Sequence, residues 1–135
     1  EPRTRAHIRA GRVARRLGLF RIEHRDAFGA LMAEFFRDLD VLLTPALAAP
    51  PPRAERWSER GWLANVVANA RFAPFTGPWN HARWPAAAVP TGGRHSTGVP
   101  LSVQLVARPG GEALLLGVAR QLEMLRPWPR HAPLG

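Results

Sequence analysis

The chain has 135 residues, of which 46% are hydrophobic, a size and composition that allow one modest globular domain. It contains no cysteine, which excludes disulfides, thiolate catalysis and cysteine metal ligands. It also has no apolar run of about 18 residues and no signal-peptide pattern, so we expect no membrane span and a cytoplasmic location.

Arginine supplies all 19 of the Lys and Arg positions, and against 10 acidic residues it gives a formal charge of +9. A basic chain of this kind can bind nucleic acid through phosphate contacts. Here, however, the arginines are spread from Arg3 to Arg130 and do not form one short basic block. We therefore favour other partners, and a small Arg-rich nucleic-acid-binding module is kept as an alternative.

Hydrophobic spacing predicts two helices in the first third of the chain, over 3–17 and 22–39. The first helix is rich in arginine and has a narrow apolar seam, whereas the second has a broad apolar stripe that must pack on another layer. The seam consists of Ile8, Val13 and Leu17, and the stripe of Phe28, Leu31, Met32, Phe35, Phe36 and Leu39. Residues 40–44 follow without a loop and are apolar without alternation, which predicts a strand covered on both faces.

The rest of the chain alternates turn signals with regular elements. A proline-rich loop over 45–60 precedes a short helix predicted at 61–72. A strand is predicted between Pro85 and Pro90, a Gly- and Ser-containing turn over 91–98, and an apolar core strand over 100–107. A closing helix is predicted at 112–125, so helices and buried strands together indicate an α/β layer architecture.

Two segments carry a recognisable pattern: FTGPWNHARWPAAAVPTG from residue 75 and GVPLSVQLVA from residue 98. Together with the closing helix, they resemble the C-terminal portion of the amidase signature family. The matching residues are Asn80, Pro85, Ala86, Val89, Pro90, Gly92, Gly98, Pro100, Gln104, Leu105, Val106, Leu115, Leu116, Ala119 and Glu123. Arg83 and Ser102 depart from the pattern, since the family usually has glycine at both positions.

The resemblance implies an α/β fold in which residues 1–135 form part of a three-layer α/β/α sandwich with a mixed central sheet. The chain would be the C-terminal portion of an incomplete amidase signature domain, and the first residue, Glu1 instead of Met, also leads us to expect a fragment or a processed chain. The missing N-terminal part of the domain would then be a partner.

Family members hydrolyse carbon–nitrogen amide bonds through a serine acyl-enzyme, with a second serine and a lysine base. This chain has no lysine, and its serines, Ser58, Ser96 and Ser102, do not adjoin one another. A hydroxyl without a base is a poor nucleophile. We therefore predict no catalytic residue in this chain and no activity for the chain alone.

The resemblance places the segment before the first motif strand near the active-site mouth. The predicted substrate-binding residues are Phe75, Thr76, Trp79, Asn80 and His81. Because no acidic residue occurs between Glu59 and Glu112, this wall offers no counter-charge to a cation, and a small neutral or apolar amide is the expected substrate.

Other chemistries have weaker support in the sequence. The histidines have no metal-ligand spacing, so we expect neither a metal nor a cofactor. Ser96, His95 or His81, and Asp26, Asp38 or Asp40 could be combined into a triad, but the chain lacks the G-x-S-x-G pattern that would indicate one. A non-catalytic remnant or subunit and a homodimer stay open as alternatives.

Overall fold

The computed structural model describes residues 2–19 and 21–129 as helices packed on a three-stranded sheet. The elements in chain order are α1 (Pro2–Arg16), α2 (Ile22–Phe35), β1 (Leu42–Pro45), a 3₁₀ turn (Trp57–Glu59), α3 (Trp62–Phe72), α4 (Gly77–Ala82), β2 (Ala86–Arg94), β3 (Pro100–Val106) and α5 (Glu112–Leu125). Within these residues, none of the helices has the length and apolar character that a membrane crossing requires.

The sheet has the order β1-β3-β2, so the apolar strand β3 lies in the centre. Both pairings are antiparallel, and Gln104 of β3 lies opposite Thr44 of β1 and Ala88 of β2. Because side chains alternate between the two faces of a strand, this register decides which helices each β3 residue meets.

Helices cover both faces of the sheet. On one face, α2 and α4 enclose a cluster of Phe36, Trp79, Trp84 and Val106, with Phe28, Met32, Leu42 and Ala82 packed around it. On the other face, α5 packs on Val89, Leu105 and Ala107 through Leu115, Val118 and Leu122. The predicted α/β fold with helical layers on both sides of a sheet is therefore confirmed.

Several predicted boundaries were wrong. Helix α2 ends at Phe35 and not at residue 39, because the backbone tightens there: the Arg37 N–H bonds to the carbonyl oxygen of Glu34, three residues back. Phe36 is thereby buried between the sheet and α4. Helix α4, over Gly77–Ala82, was not predicted from the sequence.

Strand β2 is longer than predicted and takes up half of the expected 91–98 turn. Gly92 adopts a left-handed conformation, with φ of 70°, and this irregularity lets Arg94 pair again with Pro100. The reversal itself occupies only 95–99, where the His95 N–H bonds to the carbonyl oxygen of Val99.

One prediction of burial was also wrong for the described residues. Leu43 of β1 is 57% exposed, although the strand was expected to be covered on both faces, because α5 packs over β2 and β3. The apolar seam of α1 is exposed as well, since α1 makes only a small contact with α3. These apolar side chains lie on the outside of the described part of the chain.

Gly92 is required both by its backbone conformation and by the space around it. A Cβ atom at this position would lie 3.2 Å from the Arg126 carbonyl oxygen, and φ would stay at 70°. We expect Gly92→Ala to lower the free energy of unfolding by about 1–2 kcal/mol, as measured by urea denaturation.

Gly117 provides the matched control, because it lies inside α5 and a Cβ added there would have no neighbouring atom within 4 Å. Gly117→Ala should raise the free energy of unfolding by about 0.5–1 kcal/mol. Equal effects of the two substitutions would contradict the structural role of Gly92.

Candidate functional site

The predicted substrate-binding segment forms the short helix α4, about one and a half turns long, and the two residues before it, between the end of α3 and β2. Thr76 occupies the N-cap position of α4, and Pro78 lies in the first turn, where its missing N–H costs no helical hydrogen bond. The Thr76 hydroxyl donates to the Ala73 carbonyl oxygen at 3.4 Å and so joins the helix start to the preceding turn. Phe75 and Thr76 are both half-buried.

Gln104 of β3 fixes the start of α4 on the sheet. Its side chain is 4% exposed, and Nε2 donates to the Phe75 carbonyl oxygen at 3.0 Å and to the Thr44 hydroxyl at 3.3 Å. A buried amide must find such partners, because burying it without hydrogen bonds is costly. Gln104 matches the family pattern, but no positioning role was predicted for it. The available signal was a long polar side chain between two apolar residues, Val103 and Leu105, of the core strand.

Trp79 is part of the core. It is buried, and its ring centroid lies 6.0 Å from that of Trp84, 6.4 Å from Phe36 and 5.8 Å from Phe28. Tilted and edge-to-face ring pairs of this kind add to the stabilisation that area burial provides. Trp79 therefore holds α4 against α2 and the sheet.

Asn80 and His81 are exposed on the same short helix. Asn80, together with an edge of Trp79, lines a cleft of about 460 Å³ between α4, β2 and the start of α5. Arg83 and Glu112 line the same cleft, so the tertiary structure brings a carboxylate beside the predicted wall. The expectation that this wall lacks a counter-charge was based on sequence distance and does not describe this cleft.

Helix α4 ends on Arg83, which adopts φ of 61° and ψ of 35° in the left-handed region. The Trp84 N–H reaches back to the Trp79 carbonyl oxygen at 3.1 Å, as in the usual left-handed termination of a helix. Glycine is the common residue for this conformation, because it has no Cβ to strain. The conformation of Arg83 gives a physical reason for the glycine that the amidase signature pattern has at this position.

The serines are dispersed in the structure, as they are in the sequence. Ser58 lies in the 3₁₀ turn, Ser102 lies in β3, and Ser96 lies in the hairpin reversal. Ser96 Oγ is 3.5 Å from His95 Nδ1, but that nitrogen already accepts the Thr97 N–H at 3.2 Å. His95 therefore stabilises the reversal, and a triad built on Ser96 gains no support.

Metal ligation likewise gains no support. Among residues 2–19 and 21–129, no group of three or more His, Asp or Glu side chains is placed to hold an ion.

The two hydrogen bonds of Gln104 predict that two substitutions of similar shape, one at each end of the network, lower the free energy of unfolding by different amounts. Gln104→Met leaves the Phe75 carbonyl oxygen without its donor, and we expect the free energy of unfolding to fall by about 1–3 kcal/mol. Thr44→Val removes only the longer bond and should cost less than about 1 kcal/mol by the same urea measurement. Similar losses from both variants would show that the tie to Phe75 is not the important one.

The conformation of Arg83 predicts that one substitution stabilises the chain. Arg83→Gly relieves the left-handed strain at the expense of chain entropy, and we expect a net gain of about 0.5–1 kcal/mol in the free energy of unfolding. Arg83→Ala removes the same side chain but keeps a Cβ, so it should give no such gain. A gain from alanine as large as that from glycine would refute the explanation from backbone strain.

Comparison with known proteins identifies relatives over almost the whole chain. The sequence model of the Amidase family matches residues 3–116. "Putative amidase AmiB2" of Mycobacterium tuberculosis is 36% identical over 135 residues, covering 98% of this chain and 29% of the relative. "Putative amidase AmiA2" of the same organism is 34% identical over 110 residues, covering 82% of this chain and 22% of the relative.

Solved structures give a concordant result. The structure of 6-aminohexanoate cyclic dimer hydrolase superposes with a TM-score of 0.71 and 27% identity, covering 84% of this chain and 25% of that protein. Its complex with substrate gives a TM-score of 0.69 and 28% identity over the same shares. The chain thus spans only about 29% of the length of AmiB2. The family match, the identities and the shared fold together show that the chain belongs to the amidase family.

Proposed function

We propose that this chain is the C-terminal portion of an amidase domain, and that the complete domain hydrolyses carbon–nitrogen amide bonds through a serine acyl-enzyme. The match of the Amidase family to residues 3–116 is the observation that carries the proposal. The span of about 29% of AmiB2 supports a partial domain, and the absence of lysine supports a base located elsewhere in the polypeptide.

The proposed reaction is two-step acyl transfer. A serine hydroxyl outside these residues loses its proton to a lysine, its oxygen bonds to the amide carbonyl carbon, and the C–N bond breaks as the amine or ammonia leaves protonated. Water then attacks the acyl-enzyme, which releases the carboxylic acid and restores the serine. No step of this chemistry is assigned to a residue of the present chain.

We assign a wall of the substrate pocket to this chain, comprising Phe75, Thr76, Trp79, Asn80 and His81. Asn80 and His81 are exposed and so are available for contact, whereas Phe75 and Thr76 are half-buried at the helix start. Trp79 contributes by holding α4 in place, since its ring belongs to the core cluster. An amide substrate is part of the proposal, whereas its small, neutral or apolar character, a cytoplasmic location and a homodimer stay predictions from the sequence.

The alternative of a nucleic-acid-binding module rests on the arginines. Within residues 2–19 and 21–129, five of them form ion pairs with carboxylates: Arg25, Arg37, Arg56, Arg60 and Arg120. The basic side chains of α1 include Arg12, Arg15 and Arg16 around a shallow cleft. Binding there would weaken steeply as salt rises, which distinguishes it from amide binding.

A chimera tests the proposed function directly. We would replace the matching region of M. tuberculosis AmiB2 with this chain and measure amine release from a panel of neutral aryl amides. The panel is first tested with unmodified AmiB2, and an amide that AmiB2 cleaves is then chosen for the chimera. The chimera should cleave that amide, and the 135-residue chain alone should not.

Single substitutions in the chimera test the assigned wall. Asn80→Ala should lower kcat/KM by about tenfold, the loss expected for one hydrogen bond to the substrate. Arg120→Ala is the matched surface control, because its ion pair with Glu123 lies on α5 and the substitution should leave kcat/KM unchanged. A folded but inactive chimera, or activity of the chain alone, would overturn the proposal.

A further inference from the structure

The arginines of α1 lie on the side of this helix that is turned away from α3. His7 faces α3, because its Nδ1 accepts the Trp62 indole N–H at 3.0 Å and the two ring centroids lie 5.7 Å apart. Since an α-helix turns by about 100° per residue, Arg9, Arg12 and Arg16 lie about 140–180° around the helix from His7. The contact with α3 therefore directs these three side chains towards solvent.

The positive charge on this side of α1 is not neutralised within residues 2–19 and 21–129. We call it the basic face, and its members, all exposed, are Arg5, Arg9, Arg12, Arg15 and Arg16. Helix α1 has no acidic residue, and in the described part of the chain no carboxylate forms an ion pair with these arginines. Like charges at neighbouring helical positions repel one another, so the basic face favours an anionic partner.

Apolar side chains are exposed beside these arginines. Ile8 is 50% exposed and lines a shallow cleft of about 500 Å³. The other residues of this cleft are Gly11, Arg12, Arg15 and Arg16. Val13 is 55% exposed and lies one helical turn from Arg9, on the opposite border of the basic face. A partner of the basic face therefore meets positive charge together with aliphatic surface.

The remainder of an amidase domain would be a poor cover for the basic face. Removing an unpaired guanidinium group from water is costly, and each buried arginine would need a well-placed carboxylate. The exposed apolar surface around Leu31 and Phe35 of α2 carries no such cost. Packing of the remainder on that apolar surface would leave the basic face on the outside of the complete protein.

Charge and aliphatic surface on one helix match the surface of an anionic bilayer. Acidic phospholipid headgroups attract clusters of about four to eight basic residues on an amphipathic helix. Exposed aliphatic side chains can enter the boundary between the headgroups and the acyl chains. A nucleic-acid backbone offers phosphates as well, but it has no apolar layer to receive Ile8 and Val13.

We propose that the basic face of α1 docks on the surface of membranes that contain acidic phospholipids. The arginines contact the headgroup phosphates, and Ile8 and Val13 enter the outermost part of the acyl layer. The inference goes beyond the proposed function and does not depend on it, because no step of amide hydrolysis is assigned to α1.

Vesicle sedimentation measures this docking. The 135-residue chain is mixed with sucrose-loaded vesicles of phosphatidylcholine, either alone or with about 30% phosphatidylserine, and the bound fraction gives the partition coefficient. We expect binding to the anionic vesicles, progressive loss of that binding as salt rises, and no binding to the neutral vesicles.

Two pairs of substitutions locate the binding face. Arg12→Gln with Arg16→Gln should lower the partition coefficient by at least about tenfold, because two charges leave the basic face. Arg37→Gln with Arg120→Gln is the matched control, since it removes two charges from arginines that pair with glutamates outside α1. The control should lower the partition coefficient by less than about threefold. All four side chains are exposed, so each variant should keep the parent's circular dichroism.

The aliphatic part of the contact distinguishes a bilayer from nucleic acid. Ile8→Ala shortens an exposed side chain and keeps the helix, because alanine is the best helix former. It should lower the partition coefficient on anionic vesicles by about threefold to fivefold and leave the affinity for a DNA duplex unchanged. Tighter binding to the duplex than to the vesicles, with no effect of Ile8→Ala on either, would assign the basic face to nucleic acid and overturn the inference.

Four further results would overturn it. These are no binding to the anionic vesicles, equal binding to the neutral vesicles, equal losses from the two pairs of substitutions, and binding by the chain but not by an active AmiB2 chimera. The last result would show that the rest of the domain covers the basic face. Amide cleavage by the chimera without vesicle binding would refute the docking but keep the proposed function, and vesicle binding without cleavage would do the reverse.

Discussion

The alternation of side chains along β3 is the constraint on which the rest of this structure depends. Val106 and Gln104 point towards α2 and α4, whereas Leu105 points towards α5. A shift of one residue in register would exchange these two sets, which would place the Gln104 amide on the α5 side and away from the Phe75 carbonyl oxygen. Because β3 is the central strand, its pattern also sets the faces of β1 and β2 and thereby decides where each helical layer packs.

The same alternation connects the core to the candidate site. Val106 belongs to the aromatic cluster that seats α4, and Gln104, two residues earlier on the same face, holds the backbone of Phe75. Position and orientation of the exposed residues of α4 are thus determined by buried ones. The proposed pocket wall, supported in this way, would present Asn80 and His81 without requiring either residue for stability, which is the usual division between scaffold and binding residues.

The apolar surface that stays exposed is consistent with a partial domain. Leu17 just after α1, Leu31 and Phe35 of α2, and Leu43 of β1 are exposed, although their spacing is typical of buried positions. The chain corresponds to only about 29% of the length of AmiB2, so most of that relative's residues have no counterpart in this chain. In the partial domain proposed above, surfaces that are unfavourable in water for a complete monomer would lie against the rest of the fold.

Sequence by itself determined the local elements whose signals lie within a few residues. The closing helix was predicted at 112–125 and forms over Glu112–Leu125, because its apolar spacing and the preceding glycines are both local. The family pattern also came from short motifs around Asn80, Pro90 and Gln104. Helix α4 was missed since a six-residue helix has too few turns to show a hydrophobic period, and since its stability comes from Trp79 in the core.

The tertiary structure alone decided which distant residues meet. Nothing in the sequence spacing indicated that the Gln104 amide would bond to Phe75, that Glu112 would line the cleft beside Asn80, or that Arg83 would adopt a left-handed conformation. The first two depend on how the strands pair and how the helices cross the sheet, and the third depends on where α4 ends. Local propensity governs single elements and can be recognised within a few residues. Contacts between elements join residues that are far apart in the sequence, and they are set by how the whole fold packs.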